Sequence, residues 1–224
     1  LLKRQAGRSE IFRDLTRRLR ESGIPYQLVP QEKLNHVTGK NHQGVIAYVS
    51  EISYHSIEQV VPGIYERGEI PLVLVLDQVT DVRNFGAIAR TAECAGVHAL
   101  VIPLRGAARI TAEAVKTSAG ALHNIPVCRH PDLAEVAWYL QQAGLTLAAA
   151  TEKTSQSLYR ADLTGPAAII MGAEDRGISA ELLEMADQKV CIPMKGNISS
   201  LNVSVAAGIM LYEAVRQRES LLQG

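Results

Sequence analysis

The spacing of apolar residues changes partway along the chain, and that change divides it in two. Near the start, Ile11, Leu15 and Leu19 recur at helical spacing, with Gly23 placed to close the helix. A short strand, IPYQLV from Ile24, follows, then a polar turn of helix around Lys33 and a second strand, GVIAYVS from Gly44. The stretch from Tyr54 to Ile70, broken by Pro62, Gly63 and Gly68, reads as a linker with a helical middle. Beyond it, unbroken apolar runs recur: LVLVLD from Leu72, ALVIP from Ala99, LTLAAA from Leu145, AAIIMG from Ala167 and KVCIP from Lys189. Runs this short, ending in Asp, Pro or Gly, suit strands buried on both faces. Helical stretches separate or follow them, starting at Gly86, Thr111, Asp132, Ser179 and Val203. The alternation predicts an α/β protein with a parallel sheet covered by helices on both faces. The expected division is a small α/β domain over residues 1–52, a linker over 53–69 and a larger domain over 70–224.

Composition adds limits. Hydrophobic residues make up 47% and charged residues 21% of 224, ordinary for a globular protein, and no apolar run reaches the length of a membrane span. The chain opens on Leu1 rather than Met, so the front of the small domain is expected to be missing. Cys94, Cys128 and Cys191 form no CxxC pair and lie in apolar stretches, which predicts buried free thiols, no metal centre and a reducing, cytoplasmic setting. The 23 basic residues balance the 23 acidic ones, so bulk charge alone does not indicate a nucleic-acid partner. The first 40 residues are lopsided, with nine Lys or Arg, Arg17 and Arg18 among them, against four acidic residues. Such a basic end is either a solvated helix face or an electrostatic footprint for RNA phosphate.

Ligands of open parallel sheets bind beyond the carboxyl ends of the strands. The exits richest in Gly, Asn, Ser and charge are DQVTDVRNFGAIARTAECAG, MGAEDRG and IPMKGNISSLNVSVAAG. No GxGxxG follows the first of these strands and no P-loop is present, which disfavours a nucleotide-dependent oxidoreductase. Taken together, NFGAIARTAECAG (84–96), MGAEDRG (171–177) and IPMKGNISSLNVSVAAGIMLYEA (192–214) resemble the three motifs of the SpoU/TrmH family of the SPOUT superfamily. These are RNA ribose 2′-O-methyltransferases that use S-adenosylmethionine. The first part, ending in NHQGVIAYVS, resembles the L30e-like RNA-binding domain of a subgroup that methylates a guanosine ribose of 23S rRNA.

The resemblance implies a deep trefoil knot at the end of the larger domain, a homodimer, and S-adenosylmethionine held by Gly172, Ile192, Met194 and Leu201. It places Asn84, Arg90, Glu174, Ser200 and Asn202 in the active site. Each has a plainer reading. Asn84, Ser200 and Asn202 could be helix caps, Glu174 and Arg176 an ion pair, and the apolar residues core. Arg90, flanked by Ala89 and Thr91, would need anionic company if its helix is buried, and a substrate phosphate would supply it. Its role stays open between general base and phosphate clamp, because a guanidinium has no acceptor and keeps its proton. A non-catalytic RNA-binding protein on the same fold is the remaining rival, and the presence of all these polar residues disfavours it.

Overall fold

The computed structural model describes residues 1–4, 10–22, 24–47, 52–198 and 200–222. The chain forms two compact units, Leu1–Val49 and Ser50–Gly224.

In the first unit, strand β1 (Leu2–Lys3) pairs in parallel with β2 (Leu28–Val29), and helices α1 (Glu10–Glu21) and α2 (Gln31–Val37) flank them in sequence. Its described core is small: Leu2, Val29 and Leu34 are the buried apolar residues. The strand expected from Ile24 shrinks to two residues, because its partner is only two residues long and Pro25 has no N–H for a ladder. From Gly44 the chain makes an isolated bridge, Val45 to Leu2, in place of the expected strand. Residues 48–50 of that segment, and Gly23, lie outside the described residues.

The second unit begins with β3 (Tyr54–His55), α3 (Ile57–Glu66), β4 (Leu72–Leu76), α4 (Val82–Cys94), β5 (Ala99–Pro103), α5 (Ala112–Thr117) and β6 (Val127–His130). It continues through α6 (Leu133–Gln142), β7 (Thr146–Ala150), β8 (Ala167–Met171), α7 (Ala180–Met185), β9 (Gln188–Val190) and α8 (Val203–Leu222). The seven strands form one sheet, ordered β3-β6-β5-β4-β8-β7-β9, and every pairing is parallel. Alternate side chains of each strand feed opposite layers. Leu72, Leu74 and Leu76 pack with Phe85 and Ile88 of α4 and with Met210 and Leu211 of α8. Val73 and Val75 pack with Val61 of α3, Leu140 of α6 and Leu182 of α7. Phe85 is fully buried, so truncating it to Ala would cost about 3–5 kcal/mol.

Two expectations change here. The stretch 53–69, read as a linker, belongs to the second unit. Tyr54 and His55 extend the sheet beside β6, and α3 buries Ile57, Val61 and Ile64 despite Pro62, which faces solvent. The strand β6 was not anticipated, since only Val127 and Cys128 are buried in it and Arg129 is exposed. Among the cysteines, Cys128 is buried, Cys191 is half-buried and Cys94 is exposed. Burial pushes the Cys128 thiol up to about 12.

The C-terminal end of α8 is tied down by polar contacts as well as packing. Half-buried Arg218 donates to the carbonyls of Ile70, Pro71, Leu163 and Gly165, at 3.0, 2.9, 3.2 and 2.7 Å. Gln217 donates to Ala161 O and accepts from Leu163 N. Burial lowers the Arg218 pKa, yet a guanidinium stays charged, and four backbone acceptors satisfy it in place of a carboxylate.

Candidate active site

Strand order reverses at β4: the chain first adds β5 and β6 on one side, later β8 and β7 on the other. The crevice beyond the carboxyl ends of β4 and β8 is therefore where this architecture leaves room for a ligand. Buried Asp77 closes β4 by accepting from Ser179 N at 2.7 Å. The next residue, Gln78, takes a left-handed φ of 58°, uncommon for a non-glycine residue. Asp81 then caps α4, its carboxylate accepting from Asn84 N at 2.7 Å.

That cap corrects two readings. The helix starts at Val82, so Asn84 lies inside its first turn and is not the capping residue. Arg90 sits deep in the helix, not one turn from its start. The buried face of α4 is Phe85, Gly86, Ile88, Ala89 and Ala92, and Arg90 points to solvent. No burial cost attaches to its charge. Among the described residues it makes no hydrogen bond or ion pair.

Freed from capping, the Asn84 side chain joins a network that spans the chain. Glu174 Oε1 accepts from Asn202 Nδ2 at 2.6 Å, Val203 N at 3.0 Å and Asn84 Nδ2 at 3.3 Å. Asn202 Nδ2 also donates to Asn84 Oδ1 at 3.0 Å. Asn202 precedes α8 directly, and its Oδ1 accepts from Ser204 N, so it both caps the helix and joins the network. Ser200 lies three residues before the helix and does not cap it. Arg176 pairs with neighbouring Asp175 at 3.3 Å, not with Glu174. An acceptor-only carboxylate held by neutral donors is fixed in place without being neutralised by a cation.

The network borders two cavities. One, about 710 Å³ including its open mouth, is lined by Gly172, Glu174, Ile192, Met194, Ser200 and Leu201 among others. Met171, Val190, Val203 and Ala206 add apolar wall, while Thr151 and Glu152 add polar groups from the exit of β7. A mostly apolar cleft of this size with a few polar groups fits a nucleoside-sized ligand. The β7 exit looked plain in sequence; its place beside β8 in the sheet is what brings it to the cavity. The second cavity, about 540 Å³, is lined by Gln78, Val79, Thr80, Asp81, Asn84 and Asp175, and shares Ala173, Glu174 and Val203 with the first. Arg90 lines neither, and Arg17 and Arg18 belong to the other unit.

Gly172 has a structural necessity of its own. The turn after β8 folds back through an Ala173–Gly177 bridge, and a Cβ on Gly172 would meet Gly177 C at 2.1 Å and Ile178 N at 2.3 Å. Backbone against backbone, rather than ligand approach, requires glycine there.

Comparison with known proteins matches this geometry to one family. The model of the SpoU rRNA methylase family matches residues 71–212, and that of the RNA 2′-O ribose methyltransferase substrate-binding domain matches residues 2–55. The chain is 41% identical over 203 residues to the 23S rRNA (guanosine-2′-O-)-methyltransferase RlmB of Photorhabdus laumondii, covering 90% of this chain and 83% of that protein. It is 38% identical to the RlmB of Escherichia coli K12, covering 89% and 82%. The SpoU methyltransferase AviRb of Streptomyces viridochromogenes in complex with AdoMet superposes with a TM-score of 0.67 at 30% identity, over 75% of this chain and 66% of that one. The chain belongs to the SpoU rRNA methylase family, whose members transfer a methyl group from S-adenosylmethionine to an RNA ribose 2′-oxygen.

Proposed function

We propose that this chain methylates the ribose 2′-hydroxyl of a guanosine in 23S rRNA. The observation that carries the reading is the Asn84–Glu174–Asn202 network, which joins all three motifs and stands between two cavities. The first cavity holds S-adenosylmethionine, with Ile192, Met194 and Leu201 as walls for its apolar surface and Ser200 and Thr151 as polar contacts. When bound, the cofactor supplies an electrophilic sulfonium methyl group. The chain's own contribution is position. Glu174 fixes the two amides, and the amides fix the acceptor sugar, so the displacement proceeds with its partners already aligned.

The 2′-hydroxyl must lose its proton as its oxygen attacks. Arg90 cannot accept it, so the guanidinium holds the adjacent phosphate and favours the developing alkoxide, and a phosphate oxygen or water takes the proton. Its solvent-facing position suits contact with RNA. It also suits a homodimer, because α4 and α8 meet at Thr91 and Gly208, one residue from Arg90. On α8, Val205 and Tyr212 are each 51% exposed, an apolar surface that a second copy would cover.

Two further features belong to the same reading. The first unit is an L30e-like RNA-binding domain whose Arg17 and Arg18 meet RNA phosphate, supported by the substrate-binding match over residues 2–55. The end of the second unit is a trefoil knot. The 151–165 loop is hydrogen-bonded to Cys191 on one flank and to Gln217 and Arg218 on another, as a loop threaded by the later chain would be. The relatives' bacterial 23S rRNA target favours a cytoplasmic setting.

The test is methyl transfer from labelled S-adenosylmethionine to unmodified 23S rRNA, with 2′-O-methyl positions mapped. One modified guanosine ribose is expected. Methylation of a base, or of transfer RNA alone, would overturn the reading.

A further inference from the structure

The parallel sheet turns its strand exits into an ordered row, and charge along that row is uneven. On the β7, β8 and β9 side lies the cofactor cavity, and above β4 and β8 the second cavity. Continuing past β4, the next two exits carry Arg105 and Arg109 after β5 and Arg129 at the end of β6. All three are exposed. The β5 exit is held against the rim of the second cavity, since Ala108 N donates to Val79 O at 2.8 Å. Arg129 braces the same loop by donating to Leu104 O at 2.8 Å, and its guanidinium lies 4.8 Å from the ring centroid of Tyr54 on β3.

Arg105 and Arg109 have no carboxylate or carbonyl partner among the described residues. Like Arg90, these two cations are left free, and they stand beside a cavity that adjoins the reaction centre. From the middle of the second cavity to Arg129 is about two and a half strand spacings, roughly 12 Å at about 4.8 Å each, enough for about two nucleotides of an extended strand. At the far end the exposed guanidinium of Arg129, lying over the half-buried Tyr54 ring, offers a planar cation on which a base can stack.

We propose that the second cavity receives the acceptor nucleoside and that the RNA strand leaving it runs along the exits of β5 and β6, its phosphates met by Arg109, Arg105 and Arg129. The catalytic unit thereby grips its substrate strand itself, independently of the arginines of α1. The inference rests on the ribose-methylation reading above.

The test compares the full chain with the Arg105→Gln/Arg109→Gln double variant, and with Arg67→Gln as a control beside the amino ends of the strands, away from their exits. Arg129 is left intact because it also braces the loop. Binding of unmodified 23S rRNA is measured across salt concentrations, beside steady-state methylation and S-adenosylmethionine affinity. Each lost single-strand phosphate contact removes about 0.7 from the slope of log affinity against log salt, so the double variant is expected to lose about 1.4. Its KM for RNA should rise on the order of tenfold, with kcat and cofactor affinity unchanged and the control like the parent. An unchanged salt slope and KM overturns the strand path, as does a weakened cofactor affinity, which would make the loop a structural support. Failure of the underlying reading looks different: the parent chain would bind RNA with the expected salt dependence yet leave the ribose unmethylated.

Discussion

The two units use arginine differently. In the first, Arg17 and Arg18 both bond to Asp14 one turn away, Arg20 bonds to Tyr26, and α1 has no buried residue. In the second, arginine is variously consumed by the fold, paired with a nearby carboxylate or left free. Arg218 is spent on four carbonyls; Arg90, Arg105 and Arg109 have no partner among the described residues. A count of basic residues points to the first unit as the RNA-binding part. The pairing of those residues points equally to the second, because a cation that already has a local counterion gives up part of that attraction to meet a phosphate.

The strongest way to break this comparison is at Arg218. If its role is structural, Arg218→Met should destabilise the chain by about 2–4 kcal/mol, the cost of stranding several buried carbonyls. Denaturant unfolding would show it, and an unchanged midpoint would place Arg218 among the idle surface arginines. Next comes Arg90. Both Arg90→Ala and Arg90→Lys should lose methyl transfer by on the order of a hundredfold, about 2.7 kcal/mol, because an ammonium cannot copy the planar fork. Single-turnover rates beside calorimetric cofactor binding would decide; near-normal turnover in Arg90→Ala removes it from the mechanism.

A smaller effect is expected at the carboxylate between the two cavities. In Glu174→Gln the side-chain oxygen can still meet the three donors that Oε1 gathers, but as a neutral acceptor, so the charge-assisted strength of those bonds is lost. A loss of about 1–3 kcal/mol in stability, with a drop in turnover, should follow. Thermal melts with and without S-adenosylmethionine would separate the two. The smallest effects belong to the first unit. Arg17→Glu/Arg18→Glu should weaken RNA binding severalfold and leave cofactor affinity intact. Asp14→Asn, by releasing both arginines, should tighten RNA binding slightly and steepen its salt dependence. If neither variant moves RNA affinity, the α1 cluster is a solvated face and the comparison collapses onto the second unit.

Sequence pattern revealed the layers because β4, β5, β7 and β8 are largely apolar runs, as burial on both faces demands; in β9, Gln-Lys-Val, only Val190 is buried. The pattern missed β6, whose exposed Arg129 and half-buried His130 break the run; it found the helical middle of 54–70 but took the stretch for a linker, because Pro62 and Gly63 outweighed the i, i+4, i+7 spacing of Ile57, Val61 and Ile64. At the site, motif resemblance named Asn84, Glu174 and Asn202 separately. Their joining was not legible, because the bonds span 28 to 118 positions and depend on strand order. Asp81 was overlooked as the cap of α4, which misplaced both Asn84 and Arg90 relative to the helix start. The lopsided charge of the first 40 residues was visible; its neutralisation by Asp14 at one helical turn was there to be counted and needed only the helix spacing.

The wall formed by Ala173, Glu174 and Val203 is thin enough to serve two cavities at once. For a medicinal chemist that is an invitation to build one molecule with two heads. An adenosine-like head in the first cavity, tethered to a ribonucleotide head in the second, would span the residues that the two cavities share. Its selectivity would come from the tether, because enzymes that hold the same cofactor in other folds would present the second head with the wrong exit.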